Sequence, residues 1–134
     1  SNTMIIPWSF YTNQVNNYYI PLTTNSEGTT IVRYNNFISP FDGQLTKCMI
    51  QVGTSLPVGA TGTIQLDMGS VTSTGTFTSI ETSSIALPLG SYTPATFAFS
   101  TNSMSAGLRY AFRLYGNGST ATFNTTGTLY FTES

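Results

Sequence analysis

The chain has 134 residues, enough to bury a hydrophobic core as one domain without metals or disulfides. Hydrophobic residues make up 40% of it and aromatic residues 13%, which excludes a disordered chain. Only 7% of the residues are charged, and the formal net charge of -1 excludes the basic surface that nucleic acid requires. No apolar run approaches the ~18 residues of a membrane span, so we expect no membrane insertion. Low net charge gives little colloidal repulsion, which favours a subunit held in an assembly.

The first apolar stretch, residues 4–11, is rich in aromatic side chains and interrupted by Pro7. Because proline lacks a backbone donor, the stretch predicts an edge strand or an extended arm. Trp8, Phe10 and Tyr11 have two open interpretations. They close one end of the core, or they contact a neighbouring subunit, in which case removing residues 4–11 is expected to weaken assembly.

Residues 37–52 combine a turn with the longest alternating pattern in the chain. Pro40 and Gly43 favour a tight turn, because proline presets one backbone angle and glycine accepts a positive φ. In the strand that follows, alternate side chains share a face. The face that carries Cys48 is the more apolar and is predicted to be buried, whereas Leu45 falls on the opposite face.

Short apolar patterns of period two, separated by turn residues, run through the rest of the chain, and no stretch has the 3.6-residue period of a capped helix. The predicted strands are residues 18–22, 31–34, 44–52, 63–68, 76–80, 95–100, 108–115 and 119–131. Residues 63–68 and 76–80 are expected to pair as a hairpin. The predicted class is all-β, an antiparallel β-sandwich of jelly-roll type, because a lone sheet would leave an apolar face in water.

The sequence predicts a single sandwich domain over residues 17–134, preceded by an N-terminal arm or edge strand over residues 1–16. The chain begins at Ser1 and lacks the basic start and long apolar region of a signal peptide. We therefore expect it to be a processed or excerpted piece of a longer protein.

Residues for catalysis are scarce. The sequence contains no histidine, which removes the commonest general base and metal ligand. Asp42 is expected to be a turn residue, and Asp67 and Glu81 are expected to face solvent, as acidic side chains usually do. Arg109 and Arg113 are likewise predicted to point outward. We expect no enzymatic activity, no metal and no cofactor, and a structural role for the lone Cys48.

Binding residues are easier to propose. Tyr92 and Tyr115 lie next to predicted turns, and Asn117 lies within a Gly-Asn-Gly turn. Tyrosine with Asn, Ser and Gly makes adaptable contacts to sugars or proteins, so these three residues are candidates for contact with a receptor or a ligand. Ordinary loop packing is the alternative for both tyrosines.

Three motifs resemble a known family. They are Trp8-x-Phe-Tyr followed by Tyr-Tyr-Ile-Pro-Leu at residues 18–22, Ile-Ser-Pro-Phe-Asp-Gly-Gln-Leu-Thr-Lys at residues 38–47, and Met-Ser-Ala-Gly-Leu-Arg-Tyr-Ala-Phe-Arg-Leu at residues 104–114. Together they resemble the terminal β-domain of virion structural proteins of tailed bacteriophages, especially marine and cyanobacterial phages. Phe41 stands where that pattern more often has tyrosine, and the chain is poorer in charge than the family.

The resemblance implies a non-enzymatic component of the virion, a capsid decoration, cement or head-fibre module on the outside of the particle. It also implies a homotrimer whose partner is the major capsid protein or another virion protein, with Trp8, Phe10 and Tyr11 as candidate subunit or capsid contacts. The alternative is a receptor- or glycan-binding domain of a phage fibre, which would recognise a host surface glycan through Tyr92, Tyr115 and Asn117.

Overall fold

The computed structural model of the chain describes residues 2–12, 17–53, 62–117 and 123–134. These residues form nine strands. The strands are β1 (Thr3–Thr12), β2 (Tyr18–Tyr19), β3 (Asn36–Ile38), β4 (Gly43–Val52), β5 (Thr63–Val71), β6 (Phe77–Ala86), β7 (Ala95–Ala98), β8 (Arg109–Asn117) and β9 (Phe123–Glu133). Within the described ranges, no helix is long and apolar enough to cross a membrane.

The strands form two antiparallel sheets that pack face to face. The first sheet has the order β1-β9-β4-β7 and the second the order β2-β8-β5-β6, with β3 also paired to β8. Each sheet interleaves strands from the two halves of the chain, and this is the strand order of a jelly roll. The prediction of an all-β, jelly-roll-like sandwich is confirmed.

The core lies between the two sheets and contains a cluster of aromatic rings. Phe97, Phe112 and Phe131 are inaccessible to solvent. The rings of Phe112 and Phe131 lie 5.9 Å apart, and Phe37 packs against both at 6.1 and 5.4 Å. Burying a side chain of this size contributes about 2 to 3 kcal/mol, so these contacts hold the two sheets together.

β1 is an edge strand of the first sheet and pairs with β9 along its whole length. Its inward side chains include Trp8 and Phe10, which are only 6% and 1% exposed. The structure therefore corrects their interpretation as subunit or capsid contacts, because the chain's own core already covers both side chains. Tyr11 lies on the outer face and is 59% exposed. A contact role for Tyr11 stays a prediction.

β4 departs from simple alternation at one point. The prediction that the Cys48 face is buried is confirmed, but Leu45 is also fully buried, although period two places it on the outer face. The cause is a bulge between Leu45 and Lys47, where β4 pairs with β9. One extra residue shifts every side chain before it to the other face, so Leu45 joins the core.

Two further predictions concern the second sheet. The hairpin of β5 and β6 is confirmed, and it is longer than expected because the two strands pair from Thr63 to Val71. The strand predicted at residues 31–34 is wrong. The chain turns there, with Asn35 N donating to Val32 O, and the strand that pairs with β8 is Asn36–Ile38.

Candidate functional site

Asp67 and Arg113 form an ion pair across β5 and β8, with Oδ2 and Nη2 2.5 Å apart. Asp67 is 3% exposed and also accepts hydrogen bonds from the hydroxyls of Ser79 and Thr82. The Arg113 guanidinium lies 4.3 Å from the centre of the Phe77 ring. The prediction that Asp67 faces solvent is therefore wrong. The carboxylate tolerates burial because a cation and two hydroxyls surround it.

Glu81 joins the second sheet to the segment that follows β7 of the first sheet. Its Oε1 accepts hydrogen bonds from the backbone N–H groups of Thr101 and Asn102, both at 2.9 Å, and from Asn102 Nδ2 at 2.8 Å, while Oε2 accepts one from the N–H of Ser100 at 2.9 Å. Burial acts to raise the pKa of Glu81, but these hydrogen bonds together lower it below its usual value. The predicted solvent-facing role is corrected, since the carboxylate acts as a clamp between the sheets.

The other charged side chains also have partners inside the chain. Asp42 Oδ1 accepts a hydrogen bond from Ala106 N at 2.9 Å, and Arg109 Nη2 donates to the carbonyl of Thr72 at 2.6 Å. The remaining pairs are Arg33 over Tyr34, Lys47 over Tyr130, Glu27 with the N–H of Tyr11, and Glu133 with the N–H of Asn2. Thus all four basic and five acidic side chains of the sequence contact the chain itself. Across the described residues, no three His, Cys, Asp or Glu side chains converge as a metal site.

Cys48 is fully buried on the core face of β4. Burial raises the pKa of its thiol to about 12, against weaker lowering contributions from Trp8 and the backbone of Thr128. Trp8 Nε1 meets no acceptor at hydrogen-bonding geometry within the described residues, so its interaction with the sulfur is a weak contact. A thiol with this pKa is not a nucleophile at neutral pH.

The two ends of the sandwich differ in character. At one end, where β1, β4, β6 and β8 finish, the chain carries its turn-adjacent tyrosines; we call this the loop end. The N–H of Tyr92 donates to the carbonyl of Val52 at 2.8 Å, which ties the segment after β6 to the last residue of β4. The opposite end, where β3 runs into β4 and β7 leads to β8, we call the closed end.

The closed end brings together two of the motifs on which the family resemblance rests. Gly43 and Met104 exchange backbone hydrogen bonds at 3.0 and 2.7 Å. Ser39 donates to the carbonyl of Leu108 at 2.9 Å and accepts from Gly107 at 2.8 Å. Gly107 has a φ of 84°, a conformation that favours glycine. These motifs are therefore structural, because their residues close one end of the jelly roll.

The predicted ligand residues all belong to the loop end, but not to one surface. Tyr92 is 72% exposed and has a φ of 55°, which is uncommon for a bulky residue. Tyr115 is half-buried on the outer face of the second sheet. The Asn117 side chain lies outside the part of the structure that is described. The structure thus leaves the Tyr92 side chain exposed at the loop end, and it does not place Tyr92 and Tyr115 on one surface.

A groove of about 350 Å³ lies at the loop end, where β1 and β9 meet the segment that follows β2. Its lining is mainly polar: Ser9, Phe10, Tyr11, Asn25, Glu27, Asn124, Thr125 and Thr126. Three separate parts of the chain contribute, namely β1, the segment after β2 and the start of β9. Except for the aromatic pair on β1, sequence reasoning missed these residues, because no local pattern places Asn25 or Asn124 next to Tyr11.

Comparison with known proteins shows the fold. The chain matches no protein-family profile and no curated protein by sequence. It is similar to a chain in the crystal structure of the T13 viral particle of IBDV, with a TM-score of 0.50 and 10% identity, over 99% of this chain and 31% of that one. It is similar also to a VP2 protein of infectious bursal disease virus in T=1 particles, with a TM-score of 0.50 and 11% identity, over 99% of this chain and 32% of that one. This chain thus spans about a third of each viral protein.

A carbohydrate-binding module is also among the similar structures. It is the CBM36-1 domain of a multidomain xylanase from the hindgut metagenome of Trinervitermes trinervoides, with a TM-score of 0.47 and 12% identity, over 99% of this chain and 98% of that domain. At such identities the likeness concerns the fold alone. The chain is a β-sandwich, and its resemblance to tailed-phage proteins stays a prediction.

Proposed function

We propose that this chain is a non-enzymatic structural subunit of a bacteriophage virion, a capsid decoration, cement or head-fibre module on the outside of the particle. One observation carries the proposal: every charged side chain is engaged within the chain, and the outer face of the first sheet is almost uncharged. Such a face can pack against another protein without desolvating unpaired charge. The motifs shared with tailed-phage β-domains support the same role.

The strand register arranges the side chains on the outer face of the first sheet in rows. One row runs from Ile5 through Tyr130 and Lys47 to Ala98. Ile5 is 58% exposed, and Met49 in the next row is 43% exposed. Lys47 is the one charged residue among the described positions of this face, and its Nζ lies 5.2 Å from the centre of the Tyr130 ring. We propose the part of this face around Ile5 and Met49, away from Tyr11 at the loop end, as the surface that contacts the major capsid protein or a second copy in a homotrimer.

The test is to search purified phage particles that carry the gene for this chain. The proposal expects the chain in the particle at a fixed ratio to the major capsid protein, and cryo-electron microscopy should place it on the outer surface. A particle that lacks the chain overturns the proposal. Deleting residues 4–11 does not serve as a test, because it removes Trp8 and Phe10 from the core.

Surface substitutions test the contact face with less damage. Ile5→Lys together with Met49→Lys is expected to reduce incorporation into particles at least about tenfold, a loss of about 1.4 kcal/mol in binding. Leu108→Lys is the matched control, because Leu108 is 54% exposed at the closed end. Equal incorporation of both variants would reject the outer face of the first sheet as the contact surface.

A second candidate function is a receptor-binding domain of a phage fibre. The observation that favours it is Tyr92, whose ring is 72% exposed on a backbone held in the left-handed region. Exposed residues in such conformations are enriched at functional sites. Tyr92→Ala should then abolish adsorption to host cells without changing the melting temperature. Unchanged adsorption would remove this candidate.

A further inference from the structure

The groove where β1 and β9 meet the segment after β2 has the chemistry of a sugar site. Its polar lining comes from the hydroxyls of Ser9 and Thr126, the side-chain amides of Asn25 and Asn124, and the carboxylate of Glu27. These groups offer both donors and acceptors, which the hydroxyls of a sugar require. No basic residue is among those that line the groove, so the lining does not favour an anionic ligand.

Tyr11 provides the apolar element that a sugar site needs. It alternates with the buried Phe10 along β1, and its side chain is 59% exposed beside the groove. An exposed aromatic ring is suited to contact with the C–H groups of a pyranose. A rigid tyrosine also makes such a contact at low conformational-entropy cost.

One hydrogen bond holds the segment after β2 against β1 and another holds it against β2, so the groove is formed before any ligand arrives. Glu27 Oε1 accepts a hydrogen bond from the N–H of Tyr11. Next to it, the carbonyl of Gly28 accepts one from Tyr19 N at 2.8 Å. Preformed sites lose less entropy on binding. The same Glu27 contact occupies an edge N–H of β1, which opposes the addition of a peptide strand at this position.

We propose that this groove binds a neutral saccharide, with the Tyr11 ring stacked on one sugar face and with Asn25, Glu27 and Asn124 hydrogen-bonding to its hydroxyls. The inference goes beyond the proposed virion role and does not depend on it. A surface module of a particle and a soluble lectin-like domain could each use the same groove. It also differs from the receptor contact at Tyr92, which involves none of the residues that line the groove.

The experiment screens the purified chain against an array of neutral oligosaccharides that includes cellotriose, mannotriose and chitotriose. Hits are then titrated by NMR. The expected result is binding of at least one glycan, with chemical-shift changes at Tyr11, Asn25 and Asn124. Tyr11→Ala and Asn25→Ala should each weaken binding about tenfold, equivalent to about 1.4 kcal/mol.

Ile38→Ala is the control, because it removes a side chain that is 64% exposed at the closed end and does not line the groove. It is expected to leave binding unchanged. Thermal melting of each variant establishes that the fold is intact, as expected because Tyr11 and Ile38 are both exposed. No binding to any glycan of the array overturns the inference, and so does binding that Ile38→Ala weakens while Tyr11→Ala does not. Neither outcome bears on whether the chain is found in the virion.

Discussion

Asn102 donates a hydrogen bond from Nδ2 to Oε1 of Glu81 at 2.8 Å. The same side chain bonds to both backbone groups of Leu45, accepting from its N–H at 2.7 Å and donating to its carbonyl at 2.8 Å. Leu45 lies beside the bulge in β4, and Asn102 is 5% exposed. The amide therefore continues the sheet where β7 has ended, and Glu81 of the second sheet holds it in place.

We predict that Asn102→Ala lowers the free energy of unfolding by about 2 to 3 kcal/mol, because it leaves the buried N–H and carbonyl of Leu45 without partners. Glu81→Gln should cost about 1 to 3 kcal/mol through the loss of charge-assisted hydrogen bonds. Urea unfolding measures both changes. Glu133→Gln is the control, since the Glu133 carboxylate accepts a hydrogen bond from the exposed N–H of Asn2 at 3.3 Å. If Glu133→Gln destabilises the chain as much as Glu81→Gln does, the role of Glu81 as a clamp between the sheets is contradicted.

The clamp also predicts how stability depends on pH. The folded-state pKa of Glu81 lies below the ordinary value of 4.5, so the unfolded chain takes up the proton first as the pH falls. The stabilisation from Glu81 is complete above pH 4.5 and is lost as the pH falls from there through the lowered folded-state pKa. The difference in unfolding free energy between the natural chain and Glu81→Gln should shrink in that window. A difference that stays constant on acidification would show that the charge of Glu81 does not matter.

Gly127 has no room for a side chain. A Cβ there would lie 2.1 Å from Cζ2 of Trp8, whose ring is buried in the core. Gly127→Ala should therefore destabilise the chain by about 3 kcal/mol, at the upper end of overpacking effects. Gly28→Ala is the matched control, because a Cβ at Gly28 meets nothing within 4 Å. In a Trp8→Ala background the cost of Gly127→Ala should fall sharply. If Gly127→Ala lowers stability by the same amount in the Trp8→Ala background, the Trp8 ring is not the cause of the destabilisation.

The ion pair of Asp67 and Arg113 gives a further prediction. Arg113→Met leaves Asp67 buried without its cation and should lower the unfolding free energy by about 3 to 5 kcal/mol. Adding Asp67→Leu to that variant should restore part of the loss, because no unpaired charge remains. Arg109→Met serves as the control and should cost below about 1 kcal/mol, since Arg109 bonds to a carbonyl at the surface. A double variant no more stable than Arg113→Met would contradict this account.

Cys48 should not react with a thiol reagent in the folded chain. Its side chain is inaccessible, and burial raises the pKa of the thiol to about 12. We expect no modification by an aromatic disulfide reagent at neutral pH, and complete modification after unfolding in urea. Absorbance of the released thiolate measures both. Rapid labelling under native conditions would show that β4 opens locally.

Local patterns were sufficient for the class of the fold. Alternation of period two predicts strands such as β8 and the hairpin of β5 and β6, because the two faces of a pleated strand meet different environments whatever their partners. The buried face of Cys48 follows from the same rule. The family resemblance likewise rests on short motifs, and the structure shows that two of them meet at the closed end.

The tertiary structure alone decided which residues leave that pattern. Leu45 turns inward because a bulge is held by Asn102, which lies 57 positions along the chain. Asp67 is buried because Arg113, 46 positions away, stands opposite it in the neighbouring strand. The groove beside Tyr11 likewise needs parts of the chain that meet only after folding. Side-chain alternation is a local property, whereas bulges, ion pairs and grooves depend on register and on the packing of distant strands, which no single stretch of sequence encodes.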